Sequence, residues 1–163
     1  MAIEHRIGSL FDSNDIQALA HGCNTLGVFG AGIAVHFKHH FPSMYLEYRG
    51  RCMEQKYVPG DLMVWENITE ERNIVVYNLM TQGCMRDGRY PGSGIIQLAT
   101  LGAIKASVDK MLEDAKQRQI TRIGLPLLAA GLGGLLWRDV EQVLILSCKE
   151  TYPEVTLVVH SLK

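Results

Sequence analysis

The sequence predicts an α/β domain, a central sheet covered by helices, and three observations predict it. Short apolar runs bounded by turn residues alternate with longer stretches of helical period. Proline punctuates two of the runs, Pro126 directly after one and Pro153 directly before another. Glycine clusters stand where two runs hand over to helices. The coarse order expected is β-α-β-α-β-β-α-β-α-β, which excludes a helical bundle and an all-β sandwich.

Taken in order, Ile3–Ile7 and Ala18–Gly22 read as the first two strands, and helices are expected at Ala31–His40 and Ser43–Gln55. Asp61–Glu66 and Asn73–Leu79 form a strand pair joined around Asn67–Arg72, a hairpin with a charged tip. The glycine-rich, charged stretch from Thr81 to Gly94 reads as a long loop, and long loops in compact domains are often functional. A helix over Ile95–Arg118 follows. Within it Ile96, Ala99, Leu101, Ala103, Ile104, Val108 and Met111 recur at roughly helical spacing, giving one face to the sheet. Arg122–Leu125 is a buried strand, Trp137–Thr151 a helix and Val155–His160 the last strand.

Composition narrows the function classes. A chain of 163 residues, 47% of them hydrophobic, can bury one continuous core, so a single domain over 1–163 and a monomer are expected. Sixteen basic against seventeen acidic side chains leave a formal charge of −1, so a nucleic-acid partner would need a local patch rather than a global field. No run approaches the roughly 18 apolar residues of a membrane span, and Met1–Arg6 lacks the apolar core of a signal peptide. A soluble, cytoplasmic protein with no membrane partner is expected. Cys23, Cys52, Cys84 and Cys148 show no zinc-ligand spacing and read as reduced thiols, mostly core filler.

The most informative stretch runs from His21 to Lys38, a strand that empties into glycines and then a helix. Glycines from Gly27 to Gly32 allow backbone to approach a ligand closely, and unpaired N–H groups at a helix start favour anionic oxygen. It is no Rossmann fingerprint, because a match from Gly30 would need glycine or alanine at Val35, and no Gly-Lys-Ser/Thr follows for a Walker loop. In isolation such a cluster is equally a tight packing turn. A second cluster, Leu125 to Trp137, repeats the design with Ala129, Ala130, Gly131, Leu132, Gly133 and Gly134. Two strand-to-helix loops at one sheet edge can face each other across a crevice and clamp a ligand with two phosphates.

His-x-Cys-Asn from His21 to Asn24, Gly-Ala-Gly-Ile-Ala-x-x-Phe-Lys from Gly30 to Lys38 and Gly-Leu-Gly-Gly-x-x-Trp from Gly131 to Trp137 resemble the macrodomain family over nearly the whole chain. Within it they are similar to the branch of protein- and DNA-directed ADP-ribosyl glycohydrolases and fungal ADP-ribose-1″-phosphate phosphatases. The resemblance implies a mixed, mostly parallel sheet flanked by helices in a three-layer α/β/α sandwich. It implies ADP-ribose or a derivative as ligand, with an ADP-ribosylated protein or nucleic acid as a further partner. Hydrolysis of the 1″-phosphate is slightly preferred, and removal of ADP-ribose from macromolecules or reading without turnover are the alternatives. No cofactor or metal is required.

Carried residue by residue, the resemblance places the distal ribose and diphosphate on Asn24, Gly30, Ala31, Gly32 and Ile33, and the phosphates on Ala129 to Gly134. Three positions depart from relatives. Gly8-Ser9-Leu10 stands where many carry Gly-Asp-Ile, so Ser9 or nearby backbone would meet adenine. Gln82 takes the place of a glycohydrolase lysine and can position a substrate but cannot form a Schiff base. Gly133 replaces an aspartate of the protein-directed enzymes. His21 matches a histidine of the phosphatase relatives, where it would orient water or donate a proton. It is equally a histidine that simply hydrogen-bonds at a strand end. Tyr90 is expected to stack on a ribose or base, Arg86, Asp87 and Arg89 to be solvated loop charge, His160 to border the adenine site and Trp137 to join the core. His36, His39 and His40 read as a solvated basic face.

Overall fold

The computed structural model describes residues 2–29, 32–68, 73–85, 95–129 and 134–162. Strand β1 spans Ile3–Ile7, β2 Ala18–Cys23, β3 Leu62–Ile68 and β4 Asn73–Met80. A short ribbon follows, β5 at Gly83–Met85 and β6 at Ile95–Gln97, and then β7 at Arg122–Leu125 and β8 at Thr156–Ser161. The helices are α1 at Ile33–His40, α2 at Pro42–Met53, α3 at Leu101–Arg118 and α4 at Trp137–Thr151. The main sheet has the order β1-β8-β7-β2-β4-β3. Neighbours are parallel except β3, which returns antiparallel along β4.

Period-two alternation sorts the strand residues between two helical layers. Ala18 and Ala20 of β2, Tyr77 and Leu79 of β4, and Leu157 and Val159 of β8 pack with Ile104, Val108 and Met111 of α3 and Val140 and Leu144 of α4. Leu19, Val76, Met80 and Val158 point the other way, onto Phe37 of α1 and Met44 and Tyr48 of α2. The helices thus lie on both faces, three layers in all. Helix α3 starts cleanly because the Thr100 side chain accepts from the Ala103 N–H at 3.1 Å.

Three expectations about elements are corrected. No α-helix joins β1 to β2; that connection holds only a single 3₁₀ turn, Leu10–Asp12, and both α1 and α2 follow β2. The ten residues 8–17 suffice to pass from β1 to β2 when Leu10 and Ile16 themselves fill the space over β7, where Gly124 leaves room for them. The expected long helix from Ile95 begins instead at Leu101, because Ile95–Gln97 pairs antiparallel with Gly83–Met85. Ile96 therefore belongs to a ribbon rather than to a helical face. The long loop from Thr81 is correspondingly shorter, and the hairpin tip at 69–72 and the stretch 86–94 lie outside the described residues. Among the described residues no helix is long and apolar enough to cross a membrane.

Candidate functional site

Strands β2 and β7 are parallel neighbours, with Ala18 opposite Ile123 and Leu19 opposite Gly124. From β2 the chain leaves through α1 and α2 on one face towards β3 and β4; from β7 it leaves through α4 on the other face towards β8. The two connections diverge to opposite sides of the sheet, which opens a crevice at the carboxyl ends of these strands. Both glycine-rich loops stand on that edge. The spacing of the sequence motifs could not show this, because it depends on which strands pair.

Glycine torsions shape the first loop. Gly27 has φ 86°. Gly32, which precedes α1, adopts φ 64° and ψ −147°, a combination open essentially to glycine alone. No side chain caps the start of α1, so the N–H groups of Ile33 and Ala34 remain available, while that of Val35 donates to the Gly32 carbonyl at 3.2 Å. In the second loop Ala129 has φ 57° and its carbonyl accepts from the Leu135 N–H at 3.0 Å, which ties the base of the loop. Gly134 also has positive φ, 79°. Residues 16–46 and 115–138 contain no Asp or Glu, so neither loop places a carboxylate against an anionic ligand. Gly30, Ala31, Ala130, Gly131, Leu132 and Gly133, together with Tyr90, Arg86, Asp87 and Arg89, lie outside the described residues.

His21 requires a correction. Its side chain is completely buried, stacked on Phe37 at 3.8 Å between ring centroids and edge-on to Phe29 at 5.0 Å. Its Nε2 lies 2.7 Å from Oδ1 of Asn78, its partner across the β2–β4 ladder. Asn78 is buried in turn and donates to the Met63 carbonyl at 3.2 Å. Burial depresses the imidazole pKa to about 4, only partly offset by the Asn78 hydrogen bond, so the ring is neutral and donates from Nε2. A ring sealed by two phenylalanines has no water to activate. His21 is a hydrogen-bonded core residue, and the hydrolytic role expected of it does not fit its placement.

The other predicted positions fall as follows. Asn24 is half-buried and knits the first loop: Oδ1 accepts from Leu26 N at 3.0 Å, and Nδ2 donates to the Val28 carbonyl at 2.9 Å. Gln82, half-buried, follows β4, and its N–H points to the Cys23 carbonyl at 3.4 Å, which puts it beside Asn24 at the crevice edge. Ser9 is exposed and caps the 3₁₀ turn, accepting from Phe11 N at 3.3 Å. His160 is buried at the end of β8 with Nε2 2.9 Å from Ser13 Oγ, and burial lowers its pKa. Trp137 packs partly buried against the core. His36, His39 and His40 are exposed, with the His40 ring on Phe11 at 4.1 Å, and among the described residues no group of His, Cys, Asp or Glu is arranged to hold a metal ion. Cys23, Cys52 and Cys148 are buried thiols outside any disulfide.

Sequence reading missed the supports of the first loop. Phe29, 2% exposed, plugs it into the core against Tyr48, and Arg49 donates to the Gly27 carbonyl at 3.1 Å. Thr25 is buried beside Gly83, where a Cβ would come within 2.7 Å of its hydroxyl. Tyr45, Tyr48 and Arg49 recur at helical spacing, and that signal was available.

Fold and edge together define a three-layer α/β domain with its crevice at a topological switch point. The chain belongs to the Macro domain family, whose model matches residues 20–144. It is 29% identical over 146 residues to a DNA ADP-ribosyl glycohydrolase of Mycobacterium tuberculosis, covering 90% of this chain and only 38% of that relative's length. It is also 29% identical over 144 residues to an ADP-ribose 1″-phosphate phosphatase of Scheffersomyces stipitis, covering 80% of this chain and 83% of that protein. Among solved structures it is similar to the macrodomain of Mycobacterium tuberculosis DarG, with 28% identity and a TM-score of 0.79, over 97% of this chain and 96% of that one.

Proposed function

We propose that this chain binds ADP-ribose or a derivative in the crevice between its two loops and hydrolyses it at the distal ribose, with the 1″-phosphate monoester the preferred substrate. The observation that carries the reading is the pair of carboxylate-free loops at the carboxyl ends of β2 and β7, one of them opening an uncapped helix. Two such loops suit a diphosphate. The backbone around Gly30–Ile33 and Ala129–Gly134 would hold it, Asn24 would meet the distal ribose, Gln82 would position the scissile end, and Ser9 with its turn would border adenine. The preference for the phosphate ester rests on the phosphatase relative, which matches along 83% of its length against 38% for the glycohydrolase. Water would attack phosphorus and ADP-ribose would leave as the alcohol. Positioning and neutralisation of charge supply much of the rate in phosphoryl transfer, so this scheme works without His21.

A second reading, binding without turnover, is favoured by the sealing of His21 and by an uncharged Gln82. One experiment separates them. Thermal unfolding is followed with ADP-ribose, and phosphate release is measured from ADP-ribose-1″-phosphate with Asn24→Ala as control. Ligand at 100 times its dissociation constant should add about 2.7 kcal/mol of stability. Stabilisation together with phosphate release that Asn24→Ala lowers is the expected result. Stabilisation with no phosphate released, and no ADP-ribose freed from modified DNA or protein, leaves the reader; no stabilisation overturns both.

A further inference from the structure

Helix α2 holds the first loop from beneath. Tyr48 is fully buried, its ring stacks on Phe29 at 4.4 Å, and its hydroxyl lies 2.6 Å from the Asn24 carbonyl and 2.8 Å from Asn24 Oδ1. Tyr45 and Arg49 reach the Gly27 carbonyl at 3.4 and 3.1 Å. The Asn24 amide is consequently locked. Its Oδ1 accepts from Leu26 N and, at 3.4 Å, from Val28 N, and it shares the single proton of the Tyr48 hydroxyl with the Asn24 carbonyl, while Nδ2 donates to the Val28 carbonyl. A flipped amide would face two N–H donors with its own N–H groups and a carbonyl with its oxygen. The amide nitrogen carries two hydrogens, of which the Val28 carbonyl takes one.

We infer that Tyr48 is a positioning residue for the ligand site: from the core it fixes the Asn24 amide so that one side-chain N–H is left for an acceptor oxygen of the distal ribose. The inference rests on the ADP-ribose reading and assigns the source of its selectivity for the second ribose. A saturated Oδ1 cannot accept from a ribose hydroxyl, so Asn24 contributes as a donor only. Burial raises the Tyr48 phenol well above its ordinary value, and it remains a donor across the physiological range.

The test is calorimetry with two ligands, ADP-ribose and ADP, which lacks the distal ribose. Tyr48→Phe keeps the ring on Phe29 and removes the hydroxyl. It should weaken ADP-ribose about 5- to 10-fold and ADP by less than about 2-fold. In an Asn24→Ala background the same change should add nothing. A merely structural Tyr48 would weaken both ligands alike in every background, since a loosened loop also loosens the phosphate cradle; that result, or unaltered ADP-ribose affinity, overturns the inference. Asn24→Asp decides the matter if Tyr48→Phe does not fold. It keeps an accepting oxygen, lacks the N–H, and should erase the preference for ADP-ribose over ADP; a retained preference overturns the inference. Wild-type protein that binds neither ligand overturns the ADP-ribose reading itself and this inference with it, whereas wild-type binding with an unchanged ratio in the variants removes Tyr48 alone.

Discussion

His21 shows how one side chain can change meaning between sequence and fold. Its ring is neutral in the folded protein with a pKa near 4, against an ordinary value of 6.5. Above pH 6.5 the ring is neutral in both states and its contribution to stability is complete. As pH falls below 6.5 the unfolded chain takes up a proton that the folded chain refuses, so stability declines by about 1.4 kcal/mol per unit down to roughly pH 4. The full loss approaches about 3 kcal/mol. Urea denaturation at pH 7.5, 5.5 and 4.5 should therefore show a steeper decline for wild type than for His21→Gln. A stability gap between the two that does not shrink towards acid pH would contradict the buried, neutral assignment.

Elements here are made by local chemistry where it is strong and by neighbours where it is weak. Helix α3 carries its own start signal, the Thr100 cap, and its own apolar stripe through Ala103, Ile104, Val108, Met111 and Ala115. Thr100→Ala should cost about 1 kcal/mol, read as a lowered melting temperature with ligand-free protein. The stretch just before it has no such signal. Ile95–Gln97 is apolar enough to extend the helical pattern, and only the pairing partner at Gly83–Met85 makes it a strand. Helix α1 is the opposite case: its glycine start was legible in sequence, while the anchoring of the preceding loop by Phe29 and by Tyr45, Tyr48 and Arg49 of α2 comes from packing between elements.

Across the whole molecule, the connection from β1 to β2 does the covering that a helix does elsewhere. Leu10 and Ile16 lie over Gly124 of β7, and a Cβ there would stand 2.9 and 2.7 Å from their terminal methyls. Asp15 of the same connection pairs with Arg6 of β1 at 2.8 Å and with Arg122 of β7 at 2.9 Å, and Gln17 accepts from Thr121 N at 2.7 Å. These exposed pairs count for little singly; the apolar contact over Gly124 counts for more. Gly124→Val should destabilise by about 1–3 kcal/mol through overpacking, measured by chemical denaturation. A neutral effect would mean that the connection yields freely.

The sequence by itself determined the fold class, most strand and helix positions, the two loops and, through their motifs, the family. These are set by period, turn residues and glycine torsions, all of which act within a few residues. It left open which strands pair, and that alone brings the loops together beside β2 and β7. It also left open which way each β2 side chain points: the ladder directs His21 onto Asn78 and the Phe37 ring, inside the core, and leaves Asn24 at the crevice edge under the hold of Tyr48. Burial and hydrogen-bond partners across the sheet are sums over residues distant in sequence, and only the tertiary structure carries out that sum.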